Sequence, residues 1–120
     1  MTKIICLIVK SGPLQGHKYF VKTDSPILIG RSEEANIRIA YDEFCSRRHA
    51  AVSWENNVCY LQDLNSTNGT YVNKARIEGK VKLNNQDIIS FGSTEVLVFI
   101  ADRPMNNDKS GLDDDVSYED

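Results

Sequence analysis

The apolar residues of this chain come in short runs rich in Ile, Val, Tyr and Phe, and Gly, Pro, Asn, Asp or Ser breaks them roughly every eight to ten residues. An amphipathic helix needs apolar positions three and four apart over ten or more residues, and that period is close to absent here. Short strands joined by tight turns do fit the spacing, which predicts an all-β sandwich or barrel. Strands are expected near 3–9, 17–22, 27–31, 37–39, 48–54, 58–62, 70–72, 76–78, 87–91 and 94–101. The turns fall at Gly12-Pro13, Asp24-Ser25-Pro26, Asn56-Asn57, Asn84-Asn85 and Gly92-Ser93. After Arg48, Ala50, Val52 and Trp54 alternate with Ala51 and Ser53, so one face of that strand should be buried. In the last strand Val96, Val98 and Ile100 alternate with Leu97 and Phe99, apolar on both sides, which predicts a strand covered on both faces.

The pattern stops at Ala101. Residues 1–101 are read as one folded domain and 102–120 as an acidic tail or linker, too poor in apolar residues to offset the entropy of ordering it. The tail bears seven acids against Arg103 and Lys109, a balance of −5, so a chain of net charge −3 has a body at +2. That is too weakly basic for general nucleic-acid binding, which wants a strongly clustered basic face. Three cysteines, Cys6, Cys45 and Cys59, are odd in number and lack C-x-x-C spacing. The pattern argues against a disulfide framework or a structural zinc site and for a reduced, cytoplasmic or otherwise intracellular setting. No apolar run approaches the roughly 20 residues of a membrane span.

Three polar segments stand out. Asn65-Ser66-Thr67-Asn68-Gly69-Thr70 lies between two strand-like runs, and its residue types favour a tight, internally braced turn. Such a turn leaves amides and hydroxyls pointing outward, as an anion-binding nest does. Ser46-Arg47-Arg48-His49 supplies a hydroxyl and two guanidiniums, and Gly30-Arg31 ends an apolar run with a third. Guanidinium is always charged and shaped for two parallel bonds to phosphate. Together the segments suggest a surface made to hold a phosphate.

In order and spacing, with gaps of roughly 15 and 20 residues, these blocks resemble the forkhead-associated (FHA) domain, a phosphothreonine-reading β-sandwich. The closing Gln86–Gly92 run resembles that family's late strand, and the likeness covers about residues 3–101. The resemblance implies two sheets of about eleven strands with binding loops at one end. It implies that Arg31 contacts phosphate and peptide backbone, that Ser46 donates to a phosphate oxygen, and that Thr67 completes the cradle. Asn68 would hold the residue after the phosphothreonine. Arg47 occupies a position that contacts phosphate or peptide; if the strand has begun by then, Arg47 and Arg48 point to opposite faces and only one reaches the ligand. Gly30, His49 and Gly69 would support the site, His49 by tying two loops together. In the neighbouring loop Tyr41–Cys45, Asp42 and Glu43 are expected to disfavour acidic ligand residues, and Phe44 to favour an apolar one.

The function implied is a phosphopeptide-recognition module in Ser/Thr-kinase signalling, with a phosphothreonine-bearing protein as partner and no enzyme activity, metal, cofactor, membrane or nucleic acid. Other readings are a phosphorylation-independent scaffold using a sheet face, and the sensor of a longer enzyme. Cys45 and His49 could form a nucleophilic pair, but no oxyanion loop or third orienting residue accompanies them. Trp54 and Tyr60 read as core side chains. The tail holds Ser110, Ser117 and Tyr118 but no Thr, which makes it a poor internal ligand.

Overall fold

A computed structural model describes residues 2–22 and 25–103. Among them every regular element is a strand: β1 (Thr2–Val9), β2 (Lys18–Val21), β3 (Ile27–Gly30), β4 (Ile37–Arg38), β5 (Ala50–Glu55), β6 (Val58–Asp63), β7 (Tyr71–Val72), β8 (Ala75–Arg76), β9 (Lys80–Lys82), β10 (Ile88–Phe91) and β11 (Thr94–Arg103). They form a six-stranded sheet in the order β2-β1-β11-β10-β7-β8 and a five-stranded sheet in the order β4-β3-β5-β6-β9. All pairings are antiparallel except β3 with β4. The expected sandwich of eleven strands is therefore present. The strand near 76–78 sits slightly earlier, as β8, and β9 was not anticipated: with Lys at both ends of three residues it carries almost no apolar signal. Thr23 and Asp24, part of one expected turn, and residues 104–120, which hold nearly all of the acidic tail, lie outside the described residues. β11 itself runs to Arg103.

Alternation builds the core. Ile5, Leu7 and Val9 of β1, Val96 and Val98 of β11, and Ile89 and Phe91 of β10 face inward from one sheet. Ile27 and Ile29 of β3, Ala50 and Val52 of β5, and Cys59 and Leu61 of β6 meet them from the other. The burial expected for Ala50 and Val52 is met, and Trp54 packs against this core. Tyr60 does not: it lies on the outer face, half-buried, with the Lys80 ammonium 4.9 Å from its ring centre. The expectation that β11 is covered on both faces also fails. Phe99 stays 40% exposed and stands in register with Cys6, itself opposite Phe20, which is 58% exposed. Among the described residues no strand packs on the outer side of the six-stranded sheet, and Ile4, Phe20, Ile88 and Phe99 stay 36–58% exposed there. The outer side of the other sheet is polar, carrying Ser53, Gln62, Lys80 and Lys82.

Candidate functional site

At one end of the sandwich the chain leaving β3, the loop entering β5 and the loop between β6 and β7 are joined by hydrogen bonds. Beyond β3, the Arg31 amide donates to the Ser46 carbonyl (3.1 Å) and the Ser32 amide to the Arg47 carbonyl (3.0 Å). This approach requires Gly30: a Cβ there would lie 2.0 Å from the Arg47 carbonyl oxygen. The half-buried Arg31 side chain donates through Nε to the Cys45 carbonyl, which orients its guanidinium and leaves both terminal amino groups for a ligand.

His49 links the second and third segments. Its ring is fully buried; Nδ1 accepts from the Ser46 amide (3.0 Å) and Nε2 donates to the Gly69 carbonyl (2.8 Å). An amide can only donate and a carbonyl only accept, so the pair of bonds selects the neutral tautomer protonated at Nε2. Ser46 Oγ accepts from the Thr67 amide at 3.0 Å, and its own hydrogen remains free to donate outward. Asn68 Nδ2 donates to the Phe44 carbonyl at 2.8 Å, which holds the amide group in place and leaves its oxygen available.

Asp63 organises the β6–β7 loop. Its carboxylate accepts from the hydroxyls of Ser66 and Thr70 (2.5 and 2.7 Å) and from the Ser66 amide (3.3 Å), while Ser66 Oγ accepts from the Gly69 amide (3.1 Å). Burial alone would raise the pKa of Asp63, but these bonds outweigh it and hold the carboxyl below its usual range. Asn65 at φ 59° and Gly69 at φ 88° make the bend, a conformation their residue types tolerate. Asp63 was not singled out from the sequence, although an Asp three residues before a Ser in a turn is a recognisable side-chain bracing signal.

Arg31, Ser46, Thr67 and Asn68 thus lie around one rim, with Gly30, His49 and Gly69 beneath them. Arg47 stands apart. Its exposed side chain lines an adjoining groove with Ser32, Glu33, Glu34 and Arg48, and Arg48 lies 3.8 Å from Glu34. Because β5 begins only at Ala50, the alternation invoked for Arg47 and Arg48 does not apply, and both open onto the same groove.

Asp42 also departs from expectation. It is 3% exposed, turned away from solvent, and accepts from the Phe44 amide, the Ser93 amide and hydroxyl, and the Thr94 hydroxyl at 2.8–3.2 Å. It therefore anchors the loop before β5 to the β10–β11 turn and is not displayed to a ligand. Glu43 and Phe44 remain exposed, Phe44 by 55%.

Cys45 is buried, and its thiol is pushed up to about 12 by that burial and by Asp42, against the opposing pull of Arg31. Both ring nitrogens of His49 are occupied by backbone groups, so the pair is not arranged as nucleophile and base. Among the described residues no three His, Cys, Asp or Glu side chains cluster as metal ligands, and no helix is long and apolar enough to cross a membrane.

A two-sheet sandwich with its polar loops gathered at one end in this way defines a forkhead-associated module. Residues 27–92 match the FHA domain family, more than half of the chain, and the protein belongs to that family. The chain is 32% identical over 90 residues to the FHA domain-containing protein FhaB of Mycobacterium tuberculosis, covering 75% of this chain and 57% of FhaB. It is 41% identical over 83 residues to FhaA of the same organism, covering 69% of this chain and 15% of FhaA. A solved domain from a study of phosphothreonine-dependent FHA domain interactions matches with a TM-score of 0.73 and 34% identity, covering 85% of this chain and 99% of that one.

Proposed function

We infer that this domain is a phosphopeptide-recognition module that binds phosphothreonine-bearing segments of partner proteins in Ser/Thr-kinase signalling, and that it is not itself an enzyme. The observation that carries the reading is the junction at Ser46, whose hydroxyl is fixed by the Thr67 amide while the adjacent Arg31 is oriented by the Cys45 carbonyl. In this reading Arg31 and Ser46 hold the phosphate, Thr67 closes the cradle, and the free oxygen of Asn68 takes a backbone amide of the following ligand residue. Arg47 adds a guanidinium from the neighbouring groove, and Phe44 offers an apolar contact. A phosphate with nearly two negative charges and three acceptor oxygens matches these donors, which an unmodified threonine would leave unpaired. Three buried, unpaired cysteines support a reducing, intracellular setting.

The test is calorimetry with matched peptides carrying Thr, phosphothreonine or phosphoserine. Phosphothreonine should bind, with Arg31→Ala losing about 2–5 kcal/mol, as when one partner of a buried charge pair is removed. Equal affinity for the unmodified peptide would refute the reading. The phosphorylation-independent alternative is favoured by one observation, the exposed Phe20 and Phe99 on the outer sheet face. It predicts protein binding that survives Arg31→Ala and is lost when both aromatic residues become Ser.

A further inference from the structure

Arg76, at the end of the β7–β8 hairpin, lies against the β6–β7 loop. A Cβ placed on Gly69 would meet its Nε at 2.8 Å, Cζ at 3.0 Å and Nη2 at 3.3 Å, so the guanidinium rests directly on the Gly69 backbone. Neighbouring bonds hold it there. Tyr71 and Arg76 are cross-strand partners, the Ile77 amide donates to the Thr70 carbonyl (2.9 Å), and the Tyr71 hydroxyl reaches the Asn68 carbonyl (3.5 Å). The hairpin therefore carries Arg76 in fixed register with the turn that contains Thr67 and Asn68.

Arg76 is exposed, and among the described residues its side chain has neither an ion-pair nor a hydrogen-bond partner. Three other arginines near the rim are engaged: Arg31 by the Cys45 carbonyl, Arg38 by the Arg31 carbonyl, and Arg48 by Glu34. Arg47 is likewise exposed without such a partner but faces the groove that Glu33 and Glu34 line. With Asp42 turned inward, only Glu43 of the two acids in the loop before β5 is displayed beside Phe44.

We propose that Arg76 forms a second anion subsite, so that the preferred ligand is a phosphothreonine segment carrying another negative group nearby, either an Asp or Glu side chain or a second phosphorylated residue. The proposal deepens the phosphothreonine reading and rests on it. A planar fork with five free donors suits a carboxylate or a phosphate equally, so the shared chemistry is a planar or tetrahedral oxyanion. Its place beside Asn68 puts that oxyanion close to the ligand backbone. Arg76 is a specificity residue here, and the phosphate cradle stays with Arg31 and Ser46.

The test is a set of synthetic phosphothreonine peptides with neutral flanks, in which one Asp, and separately one phosphoserine, is walked through the positions on either side. The readout is the affinity ratio of anionic to neutral peptide, which a general loss of binding leaves unchanged. In the native protein one position should give a ratio of about three to ten, larger for phosphoserine and shrinking with added salt. Arg76→Gln should bring the ratio to about one, and Arg76→Lys should retain part of it. The proposal is overturned if no position raises the ratio while the neutral phosphothreonine peptide binds, if Arg76→Gln keeps the full ratio, or if Arg47→Gln abolishes it in place of Arg76→Gln. If the neutral phosphothreonine peptide does not bind at all, the underlying reading fails, and this one with it.

Discussion

Replacing His49 by Leu tests whether the two binding loops are held together through one imidazole. Leucine keeps an apolar side chain of similar bulk against Phe91, whose ring centre lies 5.6 Å from that of His49, so the packing loss is modest. What disappears is the acceptor for the Ser46 amide and the donor to the Gly69 carbonyl. A buried polar group left without a partner costs about 1–3 kcal/mol, so two of them predict about 2–6 kcal/mol. Small domains have only about 5–15 kcal/mol in total, so the variant should unfold at a urea concentration about 1–3 M lower. Trp54, the single tryptophan, packs against the core and provides the fluorescence probe. Phosphopeptide affinity should fall together with stability, because Ser46 and the Thr67–Gly69 bend lose their common tether. Glutamine presents one acceptor and one donor and should restore part of both properties. A leucine variant with a native urea midpoint, or a glutamine variant no better than leucine, would refute the account.

Three further outcomes follow from the same geometry. Gly30→Ala should be severely destabilising, because its Cβ meets the backbone carbonyl of Arg47, which cannot rotate away; a thermal midpoint within a few degrees of native would contradict the close approach. Asp42, like Asp63, is raised by burial but lowered further by its hydrogen bonds, so both have folded pKa values below the unfolded value near 3.8. Such groups stabilise the fold above the unfolded value, and that contribution is lost as pH falls through the folded one; urea midpoints should hold between about pH 7 and about pH 5, fall below about pH 4, and fall less steeply in Asp63→Asn. Cys45 should resist iodoacetamide in the native state at mildly alkaline pH and react readily in denaturant, since its thiol is buried and raised to about 12; rapid native labelling would show that the loop before β5 opens.

Much of the architecture is legible from local chemistry. The alternation of Ala50, Val52 and Trp54 with Ala51 and Ser53 marks an inward and an outward face because successive strand side chains point to opposite sides. Gly and Asn at the bends mark where the chain can reverse. The strand rhythm fails where an element owes its existence to a neighbour. β9 is two lysines around a valine and is a strand because Tyr60, Leu61 and Gln62 present an edge to pair with. β11 looked doubly buried because hydropathy records what a side chain prefers, not whether any layer exists to cover it. Phe99 is exposed because no described strand lies over it.

Residue types alone determined that this chain would be an all-β sandwich or barrel with hydroxyls, amides and guanidiniums in three polar segments, since turn chemistry and strand alternation act over a few neighbouring residues. Only the folded arrangement decided how those groups are used. Asp42 and Glu43 are adjacent acids, yet one is spent on Phe44, Ser93 and Thr94 while the other faces solvent. Arg47 and Arg76 gave no sign of their different surroundings, a charged groove for one and the Gly69 backbone for the other. Those distinctions depend on contacts between residues far apart along the chain, such as Asp42 with Thr94 at 2.9 Å, and no local pattern encodes them.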